Sequence, residues 1–205
     1  MKSEARRFCS SVCWGLYQRE LSRTEPEPAP IPGARWIALA HGGFTLVDEE
    51  DYESLMEHAW RKGGSKNIYV NTMIGRAPVY IQTMILGVPE VDHRNGNMLD
   101  NRKQNLRPAT RRTNSANTIC RSKTGYKGIS FYSPSGTWNA KIRTPSGKRQ
   151  SLGYYPTPEL AAKAYDEAAR RIHGEFACVN FPKPGERGAR VASFSKENRP
   201  NVPDA

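Results

Sequence analysis

Long apolar runs are missing from this sequence of 205 residues, of which 37% are hydrophobic. With a mean hydropathy of −0.71, that absence excludes a membrane-crossing helix and predicts a soluble protein. Cysteine is scarce too: Cys9, Cys13, Cys120 and Cys178 form neither a disulfide framework nor a paired zinc knuckle, which suits a reducing compartment. Cys9 and Cys13 could share one face of a short helix, but no second pair of ligands accompanies them. An apolar leader core is lacking as well. Lys2, Arg6 and Arg7 run into Ser, Cys, Trp, Gly, Tyr and Gln, so no secretory signal is expected and the protein is placed in the cytosol.

Acidic residues are nearly absent from one region. Between Arg94 and Arg149 there are 13 Lys or Arg and one acid, Asp100, whereas the remaining residues carry 18 basic and 19 acidic side chains. The whole net charge of +11 therefore sits in that window. Concentrated positive charge favours a polyanion, because each neutralised phosphate releases condensed counterions. Nucleic acid is the expected partner.

The chain length suits one large or two small domains, and small modules in series are the better expectation. Residues 1–30 end in Pro26-Glu27-Pro28-Ala29-Pro30, where alternate prolines block helix and sheet pairing, so they are expected to form a flexible arm and extended linker. From Ile31 the chain turns globular. Trp36–Ala40 and Phe44–Val47 are predicted as a hairpin about His41-Gly42-Gly43, and Asp48 as the N-cap of an amphipathic helix over 49–59 with Tyr52, Leu55, Met56 and Trp60 on one stripe. The acids at 48–53 suit the helix dipole and a solvated face. Ile68–Ile74 and Pro78–Leu86 add strand or helix about a Gly75-Arg76 turn.

A polar loop follows, from Val91 to Arg107, with a carboxylate, an imidazole and several amides between apolar anchors. Glu90–His93 is expected as a strand, Asn95-Gly96 as a turn, Asn105–Arg107 as the start of a second strand, and Thr110–Asn117 as a helix. Each Asx residue alone is more commonly a turn or cap residue than a ligand.

In combination, Asp92-His93, Gly96-Asn97, Leu99-Asp100-Asn101-Arg102, Asn105-Leu106-Arg107 and Asn114 resemble the motif of the HNH homing-endonuclease family in its phage and bacterial form. The resemblance implies a ββα-metal core over about 88–118 within a nuclease domain at 31–120, and a metal-dependent, strand-nicking DNA hydrolase. It implies His93 as general base, Asp92 and Asn114 as ligands of Mg²⁺ (with Mn²⁺ as an alternative), and Asn105 as the residue that holds the loop and orients His93. Asn117 is the rival ligand if the helix register shifts by one turn. Gln82-Thr83 stand where the family often has a His-Arg pair. The implied setting is the cytoplasm of a bacterial or phage-infected cell.

Beyond it, Gly125–Tyr132, Thr137–Arg143 and Gln150–Tyr155 are predicted as three antiparallel strands, and Pro158–His173 as a helix whose Ala161, Ala164, Tyr165, Ala168 and Ile172 lie against them. Tyr126-Lys127-Gly128-Ile129, Trp138–Arg143, Leu152–Tyr155, Glu159–Asp166 and Gly174 to Pro182 resemble the APETALA2-type DNA-binding domain, here at 123–182. That resemblance implies a sheet face in the major groove of double-stranded DNA, with Lys127, Ser130, Tyr132, Asn139, Lys141, Arg143, Arg149 and Ser151 facing it. Ser130 and Ser151 replace the usual arginine and tryptophan. Trp138 shares strand parity with Ala140 and Ile142, so it is expected beneath the sheet, a base contact being the other reading. Arg94, Arg102, Arg107, Arg111 and Arg112 are further expected DNA contacts. The tail at 183–205 is polar and is expected to be disordered, or a basic clamp through Lys183, Arg187 and Arg190.

The expected fold class is thus α+β: an α+β lead-in carrying the ββα-metal motif, then a three-stranded antiparallel sheet on one helix. The expected function is an HNH endonuclease gripping DNA as a monomer. The alternatives are a DNA-binding transcriptional regulator with a degenerate nuclease site, and an RNA-binding or structural phage protein.

Overall fold

The computed structural model describes residues 26–40, 42–63, 69–120, 122 and 124–189. Cys9, Cys13, His41 and Arg190, with most of the expected arm and tail, lie outside the described residues. The chain divides into two compact units, the boundary falling between Pro108 and Ala109. Both are built from short antiparallel sheets and few helices, so the fold class is α+β.

In the first unit, β1 (Ala34–Ala38) and β2 (Phe44–Asp48) pair antiparallel as the hairpin pattern predicts. Helix α1 (Glu49–Met56) follows with three acids in its first turn. Asp48 occupies the N-cap position without a capping bond; its Oδ2 instead accepts from the Lys103 N–H at 2.7 Å. β3 (Arg61–Gly63), β4 (Tyr69–Ile74) and β5 (Ala77–Tyr80) make a meander, and α2 (Ile81–Leu86) leads to β6 (Val91–His93), which pairs with β7 (Leu106–Pro108). Ile37, Leu39, Val47, Leu55, Trp60, Val70 and Ile81 form the core. Burial of such side chains contributes about 1.5–3 kcal/mol each. The loop between β6 and β7 runs beside β2, where Leu46 N donates to Leu99 O and Asn101 N donates to Leu46 O.

The second unit begins with α3 (Arg111–Ala116), capped reciprocally by Thr110 and Thr113. β8 (Ile129–Tyr132), β9 (Thr137–Arg143) and β10 (Arg149–Tyr155) form an antiparallel sheet in the order β10-β9-β8. Helix α4 (Pro158–His173) packs on it, capped by the Thr157 side chain with Pro158 in its first turn, the arrangement that proline's missing N–H favours. Trp138, only 8% exposed, lies in the core with Tyr126, Ile129, Ala140, Ala161 and Ala162. Gly128 sits at φ +78°, and a Cβ there would fall 2.0 Å from the Tyr165 ring, so only glycine lets β8 approach α4. A short parallel pair, β11 (Cys178–Val179) with β12 (Arg187–Gly188), closes the unit. Asp166 on α4 accepts from Asn180 N, Asn180 Nδ2 and Phe181 N, and Asn180 in turn bonds both backbone groups of Lys127.

Candidate nucleic-acid interface

Strand alternation gives the β8–β10 sheet two unlike faces. Ile129, Trp138, Ala140 and Ile142 point toward α4 and are buried. On the other face Ser130, Tyr132, Lys141, Arg143, Arg149 and Ser151 are exposed. Arg143 stands directly across from Arg149, and Lys141 across from Ser151. Like charges at facing positions repel, so this pairing is unfavourable in the free protein and is relieved by an anion. All six of these residues were expected on a DNA-facing surface, and the structure brings them onto one face.

Two residues of the expected set are placed otherwise. Lys127 Nζ donates to the carbonyls of Ala116 and Thr118, at the C-terminal end of α3. Burial lowers its pKa, and the helix's terminal carbonyls satisfy the ammonium. It does not stand on the outer face as a free cation. Asn139 has outward parity but is 1% exposed; its Nδ2 donates to Ser151 Oγ and Gly153 O, both at 3.0 Å. On α3, Arg111 and Arg112 are exposed, and Arg112 Nη1 donates to Pro145 O at 2.8 Å.

Sequence alternation missed Tyr154. The β9–β10 register shifts between Ser151 and Gly153, so Leu152 is an extra residue, a β-bulge, and side-chain parity changes beyond it. Leu152 and Tyr155 pack inward while Tyr154 turns outward, 56% exposed. Gly153, at φ +123°, was the available signal, since glycine inside a strand pattern marks a bulge.

The polar loop of the first unit has a different character. Asp92 and Arg107 are 3% and 4% exposed and form an ion pair, with Arg107 Nε and Nη2 both donating to Asp92 Oδ2 at 2.8 and 2.6 Å. Arg107, expected on DNA, is therefore enclosed. His93 Nε2 lies 3.0 Å from Asn101 Oδ1, and Asn101 Nδ2 donates to Thr45 Oγ1 and Met98 O. Because Asn101 presents its oxygen, Nε2 carries the proton. Asn105 accepts from Asn95 N and donates to Asp100 O, and Asp100 holds Arg102 through two bonds. Arg94 is exposed. Asp92, His93 and Asn105 belong to the first unit, whereas Asn114 and Asn117 belong to the second.

A divalent ion was expected between Asp92 and Asn114. Asp92 Oδ2 already takes two N–H groups of a fixed cation, which opposes a second positive charge at the same oxygen. Among the described residues no three His, Cys, Asp or Glu come together in a metal-binding group. Asp92 and Asn114 supply the oxygen donors that a hard cation takes, and they stand in different units of the chain.

No protein-family model matches the sequence. The chain is 51% identical over 64 residues to dehydration-responsive element-binding protein 2A of Arabidopsis thaliana, covering 31% of this chain and 18% of that protein. It is 48% identical over 65 residues to ethylene-responsive transcription factor ERF010 of the same plant, covering 30% and 35%. It is also 37% identical over 79 residues to an AP2/ERF and B3 domain-containing protein of Oryza sativa subsp. japonica, covering 38% and 21%. The chain thus spans about a fifth to a third of the relatives it matches. The similarities support an AP2-type DNA-binding domain, and the sheet and helix of the second unit are consistent with that fold.

They also overturn three expectations. The relatives are plant transcription factors and element-binding proteins, so the assignment as an enzyme, an HNH homing endonuclease, is corrected. The nuclease and hydrolase activity and the phage setting fall with it. Cytoplasm of a bacterial or phage-infected cell is corrected on the same ground. In physical terms, Asp92, His93, Asp100, Asn101, Arg102, Asn105 and Arg107 of that motif are engaged in hydrogen bonds and ion pairs that hold the β6–β7 loop.

Proposed function

We propose that the chain is a DNA-binding protein of regulatory type that recognises double-stranded DNA through the outer face of β8–β10, acting as a single chain and in the nucleus, where transcription factors work. The observation that carries this reading is the cross-strand Arg143–Arg149 pair beside Lys141 on an exposed, otherwise polar sheet face. Side chains on such a surface reach base edges in the major groove, while arginines and lysine hold phosphates or guanine. Arg112 on α3 reaches the turn between β9 and β10 through Pro145 O, which adds an exposed cation beside that sheet. Among the described residues no helix is long and apolar enough to cross a membrane.

The test is fluorescence anisotropy of the full chain on random-sequence duplex DNA, on the same sequences as A-form RNA, and across a salt series. The reading expects duplex DNA to bind with a log–log salt slope that falls by about 0.9 for each phosphate contact removed. RNA should bind more weakly, since its deep, narrow major groove excludes a sheet. Equal affinity for both, or a slope unaltered in Arg143→Ala and Arg149→Ala, would sink it.

A further inference from the structure

Tyr132 and Tyr154 are 43% and 56% exposed, with ring centroids 5.1 Å apart and planes inclined by 54°. They come from β8 and β10, and β9 lies between those strands. Adjacent strands are about 4.8 Å apart, so rings that meet must lean over β9 from both sides. Tyr154 pairs with Asn139 and Tyr132 with Thr137; the two rings form an arch over this part of β9. The arch accounts for an otherwise odd feature, an outward-facing Asn139 that is 1% exposed. It also encloses a misfit, because Asn139 Oδ1 is buried without a hydrogen-bond partner while Nδ2 is held by Ser151 and Gly153.

A buried acceptor without a donor is unfavourable, and here it lies beneath two solvent-facing aromatic rings on the basic face. The feature therefore calls for a ligand with a hydrogen-bond donor close to an apolar group. In the major groove an A·T pair offers that combination, the N6 amine of adenine beside the C5-methyl of thymine, whereas a G·C pair offers a donor with no methyl. We propose that the tyrosine arch over Asn139 is a subsite for one A·T base pair: the thymine methyl packs against the Tyr132 and Tyr154 rings, and the adenine amine donates to Asn139 Oδ1 as the rings part. This rests on the duplex-DNA reading above and adds to it a base preference. No covalent step is involved.

The experiment selects the preferred duplex of the full chain from a random pool, then replaces each thymine in turn by deoxyuridine and each adenine by 2-aminopurine, which lack the methyl and the N6 amine. At one A·T position, loss of the methyl should weaken binding about four-fold and loss of the amine about five-fold. Tyr154→Phe should retain the sensitivity to deoxyuridine and Tyr154→Ser should lose it, with both variants still binding duplex DNA. Tight binding that neither analogue alters at a common position would overturn the subsite and leave the duplex reading standing. Failure to bind any duplex would overturn both.

Discussion

The loop between β6 and β7 and the outer face of β8–β10 are both dense in polar residues, and they resolve their polarity in opposite ways. In the loop, almost every named group finds its partner inside: Asp92 with Arg107, Asn101 with Thr45 and His93, Asp100 with Arg102, Asn105 with the loop backbone. On the sheet, Lys141, Arg143 and Arg149 stand exposed, two of them facing each other. Density of polar residues along a sequence is therefore a poor guide to a binding surface. The useful question is whether the fold has already answered their charge and hydrogen-bonding needs.

The sharpest way to break this comparison is to cut the enclosed pair. Arg107→Ala leaves Asp92 charged and buried, and should destabilise the protein by about 3–5 kcal/mol in a urea melt, since a buried charge has lost its counterion. Replacing both residues by leucine should recover most of that loss, because apolar groups of similar volume remove the desolvation penalty along with the attraction. A melt in which Arg107→Ala is as stable as the parent would mean that the pair is not a structural element.

The exposed cations should behave in the reverse manner. Arg149→Ala removes one of two facing like charges, so stability should hold or rise by about 0.2–1 kcal/mol, while affinity for duplex DNA falls and the salt slope decreases by about 0.9. Anisotropy and a melt on the same sample separate the two readouts. A third distinction concerns cations in solution. At fixed ionic strength, exchanging Mg²⁺ for EDTA should leave duplex affinity unchanged, because the proposed contacts are made by fixed guanidinium and ammonium groups; a metal-dependent gain in affinity would contradict that proposal.

Much of the fold was legible in the sequence because local signals agreed with packing. Thr137–Arg143 and Pro158–His173 match their observed elements to the residue, the strand through its alternation and the helix through Pro158 and its alanine stripe. Less of the site could be read. The family resemblance and strand alternation were the guides to the outer face, and the bulge at Leu152 changes the alternation, so Tyr154 was overlooked. Lys127 has the chemistry of a DNA contact, yet the carbonyls at the end of α3 hold it; Asn139 has the outward parity as well, and in the free protein it is buried among Ser151, Gly153 and the tyrosine arch. Both are tertiary effects that leave no local trace. The loop motif misled for a related reason: Asp92 and Arg107 lie fifteen positions apart, and only the β6–β7 register sets them face to face.

The smallest expected effect lies on an ion pair that belongs to neither region. Arg170 on α4 holds Glu186 through two bonds of 2.7 and 2.8 Å, and hydrogen bonds from Arg170 and from the Lys183 N–H bring the Glu186 pKa down to about 2 from 4.5. A carboxylate whose pKa is lower in the folded state contributes stability that is present above its unfolded value and lost as pH falls through the folded one. The contribution should therefore be complete above about pH 4.5 and gone near pH 2. Solvent screening keeps it small, because both side chains are partly exposed. In Glu186→Gln the acid limb of the stability profile should be shallower over that window, with no change at neutral pH in duplex affinity, since the pair lies away from Lys141, Arg143 and Arg149 on β9 and β10. An unaltered acid limb would show that the pair is present without contributing, as many surface pairs are.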